Sequence, residues 1–321
     1  MIDEGIIKLP KNQLNLFGYK GYFDLFFKLL NSNKLPNSIL ISGNKGSGKA
    51  TFAYHFINYL FSINEEHKYS LDNFKINTKN KSYQLLNDNI HPNFYLIENS
   101  PQFKEIKIDQ VRSLINFLNK STYSKDLKII MIDNVEYLNL NSSNALLKAI
   151  EEPSNNTFFF LIHNSSMNII NTIKSRCTEF KIFFSTSQKR DIFKNIIKDY
   201  DFNNPIENNE DNHYFDSPGN MLKYYALFDK ENIKLNDNFL TTIDYLIKKY
   251  TNDKDNETLL FLSYFIEIYY LNLCKADKRN INKQFLNYSK ILNLLDSIKK
   301  YNLNEKNLFI SIKDKLLNES K

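Results

Sequence analysis

One nine-residue run limits what this chain can fold into: Gly43-Asn44-Lys45-Gly46-Ser47-Gly48-Lys49-Ala50-Thr51. It follows an apolar run, "SILISG" (38–43), and opens "KATFAYHFINYLFS", where Phe52, Phe56, Tyr59 and Leu60 recur at helical spacing. Strand, glycine-rich turn and helix in that order make a phosphate-binding loop. Backbone N–H groups and a helix N-terminus face an anion, and Lys49 supplies the charge that reaches β- and γ-phosphates. The run departs from G-x-x-x-x-G-K-[ST] at its last position, where the methyl of Ala50 replaces the hydroxyl that would hold Mg²⁺. Thr51 comes one residue later, and a helical step turns the side chain by about 100°, so its hydroxyl is expected to point elsewhere. The expectation is a cradle that holds ATP or ADP without turnover, or one that stays empty.

The surrounding pattern extends this unit into a sheet. "NFYLIE" (93–98) reads as a second strand, the continuous apolar run Ile129 to Ile132 as a strand covered on both faces, and "TFFFLIHNSS" as the next buried strand. Between them, "IKIDQVRSLINFLNKS" places Val111, Leu114, Ile115 and Leu118 on one helical stripe, with Asp109 as its expected N-cap. "NLNSSNALLKAIEEPSNNT" has an Asn/Ser cap, turns Ala145, Leu146, Ala149 and Ile150 inward, and stops at Pro153. The end of "NTIKSRCTEFKIF" gives a further strand. Strands alternating with helices predict a parallel, doubly wound sheet. The polar stretch from Ser62 to Asn89 shows little periodicity and reads as an insertion or long loop. Beyond Phe184 no buried strand is evident, while helical spacing recurs at Ile192, Phe193, Ile196 and Ile197, at Leu259, Leu262, Phe265, Ile266 and Tyr269, and at Phe285, Tyr288, Leu292, Leu295 and Ile298. Three domains are therefore expected: an α/β P-loop domain over 1–184, a small helical domain over 185–230 and a helical bundle over 231–321.

Composition removes several functional classes. A length of 321 residues suits more than one domain, and mean hydropathy of -0.46 with no obvious apolar run near the roughly 20 residues of a membrane helix predicts no membrane role. The N-terminal "MIDEGIIKLPKNQ" lacks a basic region followed by an apolar core, so a cytoplasmic setting is expected. Cys177 and Cys274 lie too far apart for the CxxC pairs of a zinc site, and His91 and His163 have no partner at ligand spacing. No metal centre is expected. The net charge of +6 is mild and its lysines are scattered, which permits contact with nucleic acid without requiring it.

Asp133 ends the third apolar strand and matches the acidic residue that holds a nucleotide's metal through water. Beyond single motifs, "KIIMIDNVEYLNLNSSNALLKAIEEPSNNTFFFLIHNSSMNIINTIKSRCTEF" resembles the clamp-loader family of AAA+ proteins, with its N-A-L-L-K-x-[IL]-E-E-P helix and T-I-x-S-R-C segment. "LPNSILISGNKGSGKAT", "HPNFYLIE" and "IKIDQVRSL" match the same family in order, so the resemblance covers about Leu9 to Phe184. The C-terminal third resembles it only in being helical, as the family's oligomerisation collar is.

The resemblance implies that Arg176 is an arginine finger, reaching the γ-phosphate of ATP held by a neighbouring subunit, with Ser175 and Cys177 in packing and positioning roles. It implies that Asn164 stands near the family's first sensor, although an ordinary strand-end cap fits equally. It further implies a hetero-oligomeric ring with gamma/tau-type motor subunits and a delta subunit, acting on the β sliding clamp and primer-template DNA during replication by DNA polymerase III. Three departures mark the chain. Asn134 stands where AAA+ ATPases have a second acidic residue, and Glu136 follows only two positions later. Gly219, in Asp216-Ser217-Pro218-Gly219-Asn220, takes the place of the motor subunits' sensing arginine. The four cysteines of the family's zinc module are absent before Glu98. The expectation is a stator with little or no ATPase of its own. The rivals are an ATP-hydrolysing motor subunit of the same loader and a free-standing P-loop enzyme such as a small kinase.

Overall fold

The computed structural model describes residues 7–99, 105–120, 127–154, 156–200, 202, 216–230, 239–301 and 305–319. In chain order these form α1 (Lys20–Asn31), β1 (Ser38–Gly43), α2 (Lys49–Ser62), α3 (Lys81–Asn87), β2 (Phe94–Ile97), α4 (Ile108–Asn119), β3 (Lys128–Ile132), α5 (Leu140–Glu151), β4 (Thr157–Asn164), α6 (Asn171–Lys174), β5 (Thr178–Lys181) and α7 (Thr186–Ile197). Then come α8 (Pro218–Lys230), α9 (Phe239–Asp253), α10 (Asn256–Ala276), α11 (Ile281–Tyr301) and α12 (Glu305–Glu319). They divide into two compact units: a sheet unit within Ile7–Tyr200 and Tyr214–Leu222, and a helical unit within Lys223–Lys321. The expected start of the last domain, Glu231, lies outside the described residues.

The strands pair in parallel in the order β2-β3-β4-β1-β5. The sequences of β1, β3 and β4 have few polar breaks because both faces are covered. Ile39, Ile41, Ile129, Met131, Phe160 and Ile162 enter a core with Phe23, Phe26, Phe52 and Phe56, while Leu40, Ile130, Ile132, Phe159 and Leu161 enter a second with Val111, Leu114, Leu146, Ile150 and Ile173. A period of two thus serves two cores at once. Each fully buried Ile or Phe contributes about 1.5–3 kcal/mol. The aromatic pairs add orientation, as in Phe26 edge-on to Phe52 at 5.1 Å and to Phe56 at 5.2 Å. Register then aligns the carboxyl ends: Gly43 of β1 lies opposite Asn164 of β4, and Ile132 of β3 lies opposite Leu161 of β4 and Ile97 of β2. In open parallel sheets this is the edge where ligands bind.

The structure departs from the sequence reading in four places. The stretch Ser62–Asn89 contains α3 and is ordered by polar side chains. Asn80 caps α3 by accepting from the Tyr83 N–H at 2.6 Å, Glu65 accepts from the Ser82 N–H at 3.0 Å, and Asn58 donates to Asn80 at 3.0 Å. Such bonds leave no hydrophobic period to read. At α4, Asp109 is inside the first turn instead of at the cap; the Lys107 N–H donates to the Gln110 side chain at 2.9 Å, and Asp109 pairs with Arg112 at 3.2 Å. Thr258–Ala276 in α10 is long and apolar enough to cross a membrane by length and composition. It packs against α9 and α11 in the helical unit, burying Leu259, Leu262, Phe265, Ile266 and Tyr269. Finally, Phe285 on α11 is 63% exposed, although Leu295 and Ile298 of the same stripe are buried.

Candidate functional site

The loop between β1 and α2 reverses the chain with Gly46 at φ 78° and Gly48, the residue capping α2, at φ 91°. Both values lie in the left-handed region that favours glycine. Lys49 opens α2 and is buried at 6% exposure, and its Nζ donates to the carbonyls of Gly43 at 2.8 Å and Asn44 at 2.7 Å. The loop is tied together elsewhere too. Ser47 Oγ donates to the Asn44 carbonyl at 2.8 Å, Ser165 Oγ donates to Asn44 Oδ1 at 3.1 Å, and the Tyr19 hydroxyl donates to the Ser47 carbonyl at 3.0 Å. The Tyr19 ring stacks on Phe52 at 4.9 Å, which joins loop to core. Asn44 and Lys45 are exposed, and Ala50 packs its methyl against the apolar core. Thr51 is half-buried on α2.

Across the loop stands the start of α8. The Gly219 N–H donates to the Gly46 carbonyl at 2.8 Å, and a Cβ built on Gly219 would fall 2.7 Å from that oxygen. A Cβ on Gly46 would fall 2.3 Å from Ser217 Oγ. Two glycines therefore meet where no side chain fits, and position 219 is closed to any larger residue in this arrangement.

The carboxyl ends of β3 and β4 bring the remaining loop-side residues together. Asp133 follows β3, and burial, then Glu98, raise its pKa to about 6 against the opposing Asn134 N–H and Lys49. Lys49 moves the other way: burial lowers it to about 8, countered by Asp133 and then Glu136. Asn134 adopts φ 58°, a left-handed turn Asn tolerates, and its Nδ2 donates to Asn99 Oδ1 at 3.1 Å. Glu136 accepts from the Asn164 N–H at 3.2 Å, while Asn164 Oδ1 accepts from the Ser166 N–H at 3.2 Å. Asn164 is thus a strand-end cap beside Gly43. These residues do not fit a hydrolysing Mg²⁺–ATP site: the hydroxyl ligand is a packed methyl, the second acid is an amide, and Glu136 holds a backbone N–H. Among the described residues, no group of three His, Cys, Asp or Glu side chains could hold a metal.

Arg176 occupies another part of the unit, two residues past α6. Its side chain is 34% exposed, paired through Nε with Glu151 at the end of α5, and its Nη1 donates to the Thr172 carbonyl at 3.0 Å. Ser175 Oγ donates to the same carbonyl at 3.2 Å. Cys177 packs against the second core, and burial pushes its thiol up to about 12. Sequence reasoning found Arg176 from its motif and missed Glu151. The E-E-P end of α5 was legible, but no spacing rule brings together residues 25 apart.

Residues 19–185 match the family described as DNA polymerase III, delta subunit. The DNA polymerase III subunit delta' of Pseudomonas aeruginosa is 37% identical over 99 residues, 31% of this chain and 30% of that protein. The subunit delta' of Buchnera aphidicola subsp. Baizongia pistaciae is 32% identical over 165 residues, 49% of this chain and 47% of that one. The chain thus spans less than half the length of these relatives. Among solved structures, a DNA polymerase III gamma subunit-related protein from Thermotoga maritima is 16% identical with a TM-score of 0.43, covering 92% of this chain and 99% of its own.

Proposed function

Because the chain belongs to the DNA polymerase III delta-subunit family, its match running over residues 19–185 of 321, we propose that it is the delta-prime stator of a bacterial clamp loader. In this reading it completes a ring with motor subunits of the gamma/tau type and a delta subunit, in the cytoplasm. The ring loads the β sliding clamp on primer-template DNA. The chain turns over no ATP and supplies Arg176 to ATP held by its neighbour. A guanidinium at a γ-phosphate offsets charge developing in phosphoryl transfer and is worth about 10³–10⁵ in rate.

The observation that carries the reading is the contrast between two cations. Lys49 is buried and turned onto the carbonyls of its own loop, whereas Arg176 stands at the rim with its side chain one-third exposed. Occupancy of the cradle by ATP or ADP requires Lys49 to exchange the Gly43 and Asn44 carbonyls for phosphate oxygens. Ala50 and Asn134 leave such a nucleotide without the groups that hold Mg²⁺ and position water.

The test is reconstitution with the cognate motor and delta subunits, comparing wild type with Arg176→Ala. Normal assembly with reduced DNA- and clamp-stimulated ATPase is expected; an unchanged rate removes the finger role. Turnover by the purified chain checks the rival reading, since a measurable Mg²⁺-dependent kcat would make it a motor subunit.

A further inference from the structure

A guanidinium has five N–H donors in one plane. Those of Arg176 are used unevenly: Nε–H goes to the Glu151 carboxylate and one Nη1–H to the Thr172 carbonyl. Three donors, all on the Nη atoms, have no protein partner among the described residues. That leaves the outer fork, the edge that matches phosphate oxygens two at a time.

The contact is not explained by stability. Exposure of the side chains is 34% for Arg176 and 42% for Glu151, and ion pairs so open to water are worth about 0–1 kcal/mol. Packing already fixes the backbone on both sides: Ile150 precedes Glu151 and is 3% exposed, and Ile173 in α6 is 0% exposed in the same core. The Thr172 carbonyl is steadied in turn by Ser175 Oγ at 3.2 Å. What these contacts restrict is rotation of the guanidinium plane.

We propose that Glu151 is a positioning residue for Arg176, holding Nε so that the free Nη edge is presented to a phosphoryl group on a neighbouring subunit. The proposal rests on the finger reading of Arg176. A carboxylate placed on the fork would compete with phosphate, while one placed on Nε orients the fork and leaves it open. Glu151 touches neither nucleotide nor the attacking water in this role.

The experiment is single-turnover ATP hydrolysis by the complete reconstituted ring, with assembly checked by size-exclusion chromatography. Arg176→Ala identifies the kinetic phase that depends on the finger. Glu151→Ala is expected to slow that phase by about 10–100-fold, the effect of a misplaced group, at unchanged KM for ATP. Glu151→Gln keeps an acceptor for Nε–H and stays close to wild type, and the double variant is no slower than Arg176→Ala alone. If Arg176→Ala loses the phase and Glu151→Ala keeps it, the positioning role is overturned while the finger stands. If neither variant changes any phase, the finger reading itself fails. A rise in KM at constant kcat would also overturn positioning.

Discussion

Lys49 lies in the glycine-rich loop and Arg176 in the Ser175-Arg176-Cys177 segment, and the fold treats these two cations in opposite ways. Lys49 is enclosed by β1, α2 and the loop it belongs to, with burial lowering its pKa to about 8, and two of its three donors are used on Gly43 and Asn44. Arg176 follows a single turn of helix, where solvent can reach it. The difference teaches that a motif's presence and its use are separate matters. The loop retains every glycine and its lysine, yet its hydrogen bonds are satisfied within the unit; the three-residue Ser175-Arg176-Cys177 segment keeps donors to spare.

That contrast can be broken most sharply at its outward end. Arg176→Ala should remove the ~10³–10⁵-fold contribution of a finger at the site it serves, read as loss of one phase of hydrolysis in the assembled ring. A loss spread evenly over all phases would indicate disturbed assembly instead. The inward end responds in stability. Lys49→Met strips the donor from the buried Gly43 carbonyl and from the more open Asn44 carbonyl and should cost about 1–3 kcal/mol, seen as a lower Tm, while the Arg176-dependent phase persists. Gly219→Ala tests the closure over the loop. Its Cβ would meet the Gly46 carbonyl at 2.7 Å, so a cost of about 1–3 kcal/mol is expected, and faster exchange of the residue-219 amide, which donates to that carbonyl, would locate it.

A last effect is a pH dependence at two desolvated histidines of the sheet unit. His55 is fully buried between the Tyr69 hydroxyl and the Gln13 carbonyl, and burial lowers its pKa to about 3, while burial lowers His91 to about 4. Unfolding lets both rise toward the ordinary value near 6.5. The neutral, folded form is therefore fully favoured above pH ~6.5, and stability falls as pH drops below it, by up to a tenfold loss in the folding constant per unit for each histidine. Denaturant midpoints in wild type and His55→Phe between pH 7 and 5 measure this; a midpoint that rises on acidification would contradict it.

Much of the sheet could be read directly because its strands are buried on both faces and stay apolar throughout, from "SILISG" to "TFFFLIHN". The loop and the Ser175-Arg176-Cys177 segment were legible because backbone geometry restricts the former and a family resemblance marks the latter. What escaped depended on contacts between segments distant in sequence. The polar ties of Asn58, Asn80 and Glu65 order residues 62–89 without any apolar period. Glu151 gains its meaning only once Ile150 and Ile173 share a core. Gly219 looked like a lost arginine, and the fold adds that Gly46 approaches too closely for any replacement. In α10, the hydrophobicity of a bundle's inner helix crowded enough faces to match a membrane span in length and composition.

Cys177 adds a chemical consequence of its own. With burial holding its thiol up to about 12, it stays protonated at physiological pH, a poor nucleophile toward oxidants and alkylating reagents. The residue next to the guanidinium therefore contributes no anion that could vary with redox conditions. Arg176 is paired with the Glu151 carboxylate, and changes in the thiol environment should leave that pair untouched.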